Sequence, residues 1–147
     1  GARRGRGLAV HESFGTYVAQ VAEVTVHDDE TFSVDRVFCA VDCGTVINPD
    51  MVRAQMEGGI AFGLGFLLQG ISFSGGQVQQ GKFNDYPVLR LNAMPEVHVE
   101  AVASSVAPTG VGEPGVPPVA PAVVNALAAI TGQRHRRLPL SPGLRML

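Results

Sequence analysis

Residues 109 to 118 read TGVGEPGVPP, a segment with three glycines, three prolines and one ionisable group, Glu113. A carboxylate can move a proton, meet a cation or simply face water, and the backbone around this one narrows the choice. Gly110, Gly112 and Gly115 can reach positive φ or let another group come close to the main chain. Pro114, Pro117 and Pro118 fix φ and remove amide donors, and Glu113, preceding a proline, is pushed toward an extended conformation. The segment is therefore expected to form a stiff loop, the kind that carries binding and catalytic groups more often than its share of a chain. The plainer alternative is an exposed turn whose Glu faces solvent.

Other residues with chemical potential are scattered. Gln55 and Glu57 are polar on an otherwise apolar segment, so they face either solvent or a ligand. Cys39 and Cys43 fit neither a zinc ligand set nor a redox pair, and strand periodicity puts both on one face as small buried residues. His11-Glu12-Ser13 holds the residue types of a hydrolytic triad, but a triad is defined by geometry, and sequence neighbours rarely face one another. His98 falls on the wet side of an alternating strand and reads as a surface histidine. No side chain is predicted as a metal ligand, and no phosphate-binding glycine loop or H-E-x-x-H motif is found.

The composition limits what these residues can serve. A chain of 147 residues, 46% hydrophobic and 16% charged, suits one globular domain spanning residues 1–147. Eleven basic residues against thirteen acidic ones, with 6% aromatics and no Trp, do not point to nucleic acid. Arg3, Arg4 and Arg6, then Arg134, Arg136 and Arg137, form clusters that read as solvated edges or as contacts for phosphate or an acidic partner. The uncharged run from Gly58 to Gly81 is broken by glycines and polar residues well short of the roughly 20 apolar residues of a spanning helix. No transmembrane segment is expected, any targeting signal is absent or lies on sequence outside these residues, and no compartment is indicated.

The elements that must carry these groups follow from periodicity. Gly15 to Val26 and Ser33 to Asp42 are Val-rich with partial alternation and predict a hairpin, joined through His27-Asp28-Asp29-Glu30. Val37, Cys39 and Val41 share one face there. Asn48, Pro49 and Asp50 mark the start of a helix running to about residue 69. Its interior holds Gly58, Gly59, Gly63 and Gly65, each costing about 1 kcal/mol relative to Ala, so another element or a large ligand should lie against the glycine face. A second hairpin is expected from Ile71 to Phe83, a strand from Glu96 to Ala103, and a helix from about Val119 to Thr131 stopped by Gly132. The tail RHRRLPL could add a short strand. The fold class is α+β: antiparallel or mixed hairpins with two main helices, 49–69 and 119–131.

Four stretches in order, GRGLAVHESFGTYVAQVAEV, VDCGTVINPDMVRAQMEGGIAFGLG, FNDYPVLRLNAMPEVHVE and PTGVGEPGVPPVAPAVVNAL, cover nearly all of the chain. In them it resembles the C-terminal part of the molybdopterin-binding large subunit of the molybdenum hydroxylases, the xanthine dehydrogenase and aldehyde oxidase family, in particular the isoquinoline 1-oxidoreductase type of beta subunit. The resemblance implies a molybdenum-dependent oxidoreductase that hydroxylates an electron-poor carbon of an N-heteroaromatic compound or aldehyde with water-derived oxygen. Glu113 occupies the position of the family's active-site base. A carboxylate beside an apolar, partly desolvated centre would be basic enough to act. Gln55 matches the glutamine that hydrogen-bonds the cofactor, while Gly58, Gly59 and Gly112 would let the main chain approach it. Helix and loop would then line opposite sides of one pocket.

The implied cofactor is molybdenum with molybdopterin, in the cytosine dinucleotide form, the metal being held by the pterin rather than by the protein. The implied partners are the rest of the large subunit and a small subunit carrying iron-sulfur clusters. Phe62 stands where xanthine dehydrogenases carry Gln, which fits the isoquinoline branch and alters a possible substrate contact. Large subunits of the family are several times longer than this chain. The alternative function is therefore a non-catalytic or split binding domain, inactive without the remainder and, with an apolar face open, prone to self-association.

Overall fold

Alternation of Val with small and polar residues builds β2 (Thr16–Val26) and β3 (Thr31–Asp42), and β1 (Arg3–Ser13) pairs on β2 to make three long antiparallel strands. The computed structural model describes residues 1–28, 31–140 and 145–147, so Asp29 and Glu30 of the β2–β3 connection lie outside the described residues. The expected hairpin is present. β1 was not foreseen, because its arginines and glycines conceal the alternation. It pairs with β2 from Arg3↔Val26 to Ser13↔Thr16, through a tight turn in which Phe14 (φ 55) and Gly15 (φ 75) both have positive φ, the backbone of a two-residue hairpin loop.

Helix α1 (Pro49–Leu68) begins where predicted, with Asn48 Oδ1 accepting from the Met51 amide at 3.2 Å. Helix α2 (Val119–Thr131) ends on Gly132 in the left-handed conformation (φ 77). Strands β4 (Phe73–Ser74) and β5 (Gln77–Val78) form the second hairpin, shorter than expected because the glycines and glutamines around Gly75-Gly76 bury nothing. β6 (Glu96–Ala101) is parallel to β3, Arg36 to Val41 matching Glu96 to Ala101. The tail strand expected within residues 134–140 is not formed. Proline at 139 cannot donate to a ladder, and the Leu140 amide instead donates to the carbonyl of Leu67 at 2.6 Å. The strand found is β7 (Arg145–Met146), pairing with Thr31 and Phe32 of β3.

The main sheet thus runs β1-β2-β3-β6, with β7 also on β3. The α+β class holds. Both helices pack against one face, α2 across β1 and β2, α1 beside α2 and over β6, and Val18, Ala22, Val24, Val37 and Val41 meet Met56, Ile60, Val123 and Leu127 in a single core. The other face is open. Arg6, Glu23, Arg36 and Glu96 form a row of alternating charge across four strands, with Arg6 Nε to Glu23 at 2.6 Å and Arg36 to Glu23 at 3.3 Å. Beyond that row, Leu8 and Val10 are 56% and 63% exposed, and Phe38 stacks on His98 at 5.1 Å. His98 is at the surface, as expected.

Cys39 and Cys43 are both buried and free, Cys39 by strand periodicity as expected, whereas Cys43 lies just past the end of β3. Burial pushes the Cys39 thiol from 9.0 up to about 11, and a hydrogen bond from Gln20 opposes this. The folded-state value lies above the unfolded one, so this stabilisation is complete below pH 9 and disappears as pH rises through about 11. At most about 3 kcal/mol is involved. Urea midpoints measured from pH 8 upward should fall more steeply for the native chain than for Cys39→Ala. Parallel curves would show that Cys39 is not shielded.

Candidate functional site

The Glu113 loop is clamped from several directions. At its start the Thr45 amide donates to the Val106 carbonyl and the Thr109 amide to the Cys43 carbonyl, each at 2.9 Å. Thr16 Oγ1 donates to the Gly110 carbonyl at 2.6 Å and lies 2.6 Å from Thr109 Oγ1. A hydroxyl has one proton, so Thr109 must donate in that second bond. The Val116 amide closes a turn on the Glu113 carbonyl at 2.9 Å, with proline and glycine at the central positions. Beneath the turn, Gln20 Nε2 donates to the Gly115 carbonyl at 2.9 Å. The predicted stiff loop is therefore stiff, and most of what holds it comes from β2 and the end of β3.

α1 supplies the other wall. A Cβ added at Gly59 would lie 3.2 Å from the Gly115 main chain, and one added at Gly115 would lie 3.3 Å from Met56 Cα and O. Helix and turn are in direct contact at this point rather than facing one another across a gap. Gly63 is covered in the same way by Val116 and Val119. Gly59 and Gly63 belong to the buried stripe of α1, with Val52, Met56, Ile60, Leu64 and Leu67.

Gly58 and Gly65 differ, because a Cβ at either would meet nothing within 4 Å. Gly58 lies on an exposed stripe with Gln55 and Phe62, which the half-buried Gly65 continues, at helical spacings of three and four residues. Phe62 is 65% exposed and packs edge-to-face on Phe66 at 5.0 Å. The stripe is a polar amide, a bare backbone notch and an aromatic ring side by side. Such a surface fits a flat polar cofactor, which the notch would admit close to the main chain.

The sequence-derived site residues therefore fall into separate environments. Glu113 and Gly112 are exposed on the outer side of the turn, and no Cβ contact within 4 Å exists at Gly112. Gln55 and Gly58 are on the open stripe, and Gly59 is on the buried one. Among the described residues no cluster of three or more His, Cys, Asp or Glu side chains is placed to hold a metal ion. His11, Glu12 and Ser13 form no triad: they are consecutive in β1, and Glu12 accepts from the Gly15 amide at 3.1 Å. Thr16, Thr109 and Gln20 were missed by sequence reasoning. A lone glutamine in the buried register Val18-Gln20-Ala22 is the one signal that could have flagged Gln20.

Residues 4–95 match the family model of the molybdopterin cofactor-binding domain. The chain belongs to this family. It is 46% identical over 140 residues to the isoquinoline 1-oxidoreductase subunit beta of Brevundimonas diminuta, a match covering 94% of this chain and 18% of that protein. Its fold is similar to quinoline 2-oxidoreductase from Pseudomonas putida 86, with TM-score 0.68, 27% identity, and coverage of 76% of this chain and 15% of that one. It is also similar to the aldehyde oxidoreductase of Desulfovibrio gigas, with TM-score 0.70, 26% identity, and coverage of 84% and 14%. This molybdopterin cofactor-binding domain therefore spans less than a fifth of the length of those relatives. None of its helices, among the described residues, is long and apolar enough to cross a membrane.

Proposed function

We propose that this domain is the part of a molybdenum hydroxylase large subunit that presents Glu113 as general base and the Gln55–Gly58–Phe62 stripe to the cofactor and substrate. The observation that carries this reading is the open stripe of α1. Two of its four interior glycines are accounted for by packing on the 115–119 segment, whereas a Cβ at Gly58 or Gly65 would meet nothing within 4 Å. Each of those two costs about 1 kcal/mol of helix stability. A bound group lying against them supplies the reason for retaining them.

When bound, the molybdenum–pterin group supplies a two-electron acceptor and activates an oxygen derived from water. Gln55 would hydrogen-bond the cofactor through its side-chain amide, and Gly58 and Gly112 would let main chain approach it. A Glu113 carboxylate oxygen would take a proton from the water-derived oxygen as that oxygen bonds to the electron-poor carbon of an N-heteroaromatic compound or aldehyde, the C–H hydrogen leaving that carbon with its electron pair for the two-electron acceptor. The clamped turn matters here, since a general base acts only from hydrogen-bonding distance. Phe62 presents a flat apolar surface to an aromatic substrate. The electrons would leave through a small subunit carrying iron-sulfur clusters, and the pterin would be in its cytosine dinucleotide form.

Turnover of the complete enzyme in heavy-oxygen water should place the label in the hydroxylated product. Label drawn from dioxygen instead would exclude this chemistry. A second reading, that the chain is inactive until docked on the rest of the subunit, is favoured by the exposure of Glu113 and Gln55. The apolar patch of Leu8 and Val10 on the uncovered sheet face also offers a surface for that remainder. On this reading the isolated chain purifies without molybdenum. Self-association of the chain alone, expected from its sequence, finds no support in these observations.

A further inference from the structure

Gln20 is the one amide side chain in the buried register of β2, which otherwise runs Thr16, Val18, Ala22, Val24. Its exposure is 0%, and its neighbours across the strands are Ala9 and Cys39, the latter touching it only through a weak 4.0 Å contact to sulfur. Its Nε2 donates to the Gly115 carbonyl at 2.9 Å, while Oε1 has no partner among the described residues. The amide cannot be turned over, because the Gly115 carbonyl can only accept a hydrogen bond. Filling the core would be better served by an apolar side chain, since a buried oxygen left unpaired opposes folding. What glutamine adds is one directional bond, and that bond ends on the turn two residues after Glu113.

We propose that Gln20 is a positioning residue that fixes the Glu113 turn against α1 for the hydroxylation reaction. This rests on Glu113 being the general base. The turn is pinned at Gly115 from two sides, by Gln20 through the carbonyl and by the Met56 main chain, which lies 3.3 Å from where a Gly115 Cβ would stand, so rotation of the Glu113–Gly115 segment requires the Gln20 bond to break. Neither strand pairing nor the caps of α1 and α2 use the Gln20 side chain, which separates its effect on the turn from its effect on the fold.

The test uses the holoenzyme with Gln20→Leu, Gln20→Glu and, as reference, Glu113→Gln. In Gln20→Leu, kcat should fall about a hundredfold with KM nearly unchanged, the size of loss that a displaced catalytic group produces. Hydrogen exchange in a peptide spanning the turn should speed up about tenfold, as expected for the loss of one hydrogen bond, with the amides of β2 and β3 unaffected. In Gln20→Glu the protonated acid can still donate to the Gly115 carbonyl, and burial favours that neutral form. Its activity relative to the native enzyme should therefore be highest at low pH and fall as pH rises, whereas the ratio for Gln20→Leu stays flat. Native kcat in Gln20→Leu overturns the proposal, as does unchanged exchange of the turn. If Gln20→Leu does not fold, a ratio for Gln20→Glu that stays equally depressed at every pH overturns it instead. Normal turnover of Glu113→Gln removes the base reading alone, and the exchange data then still decide whether Gln20 holds the turn.

Discussion

Replacing Glu113 by glutamine in the complete enzyme should lower kcat by about 10²–10⁴-fold, the usual contribution of a positioned general base. Glutamine keeps the length and shape of the side chain but cannot accept a proton. The fold should be untouched: Glu113 is exposed, and its one hydrogen bond among the described residues uses the main-chain carbonyl, which accepts from the Val116 amide. Thermal stability of Glu113→Gln should therefore match the native enzyme while turnover collapses. Turnover within a few-fold of native would leave Glu113 as an exposed turn residue, the plainer alternative that its Gly/Pro setting allows.

The largest stability effect is expected at the far side of the sheet. Gly7 lies where β1 meets α2 so closely that a Cβ would run into the Ala122 carbonyl and the Ala126 amide, with the Asn125 main chain 2.8 Å away. These are helix backbone atoms, which no rotamer change can move aside. Gly7→Ala must lift β1 off α2 and also disturb the bond from Asn125 Nδ2 to the Leu8 carbonyl, 3.0 Å. Overpacking of this kind costs about 3 kcal/mol. Gly81→Ala is the control, since a Cβ there meets nothing within 4 Å. Equal unfolding midpoints for the two variants would show that β1 and α2 are not in such contact. The consequence reaches the site, because α2 starts directly after the Glu113 loop and its position sets where that loop ends.

Much of the fold was legible because its signals are local. Asn48 with Pro49 announces α1, and Gly132 ends α2, since capping depends on a few neighbouring residues. The Val37-Cys39-Val41 face follows from strand periodicity alone. β1 escaped because Arg3, Arg4, Arg6, Gly5 and Gly7 show no apolar alternation. They form a strand because β2 provides a ladder and α2 accepts glycine at close range. The tail strand was misplaced for a similar reason: the pairing partner on β3 lies opposite residues 145 and 146, not within 134–140.

By itself the sequence determined the stiffness of the Glu113 loop, the extent of both helices and, through four ordered stretches, the resemblance that named the chemistry. These depend on residue types and short spacings, which act through backbone dihedrals and caps. Only the tertiary structure decided which helix glycines are covered and which are bare, that Gln20 and Thr16 hold the turn, and that Glu113 is left exposed by this chain. Those outcomes depend on which surfaces meet across long stretches of sequence. Contacts such as Gln20 with Gly115 join residues that no local pattern connects.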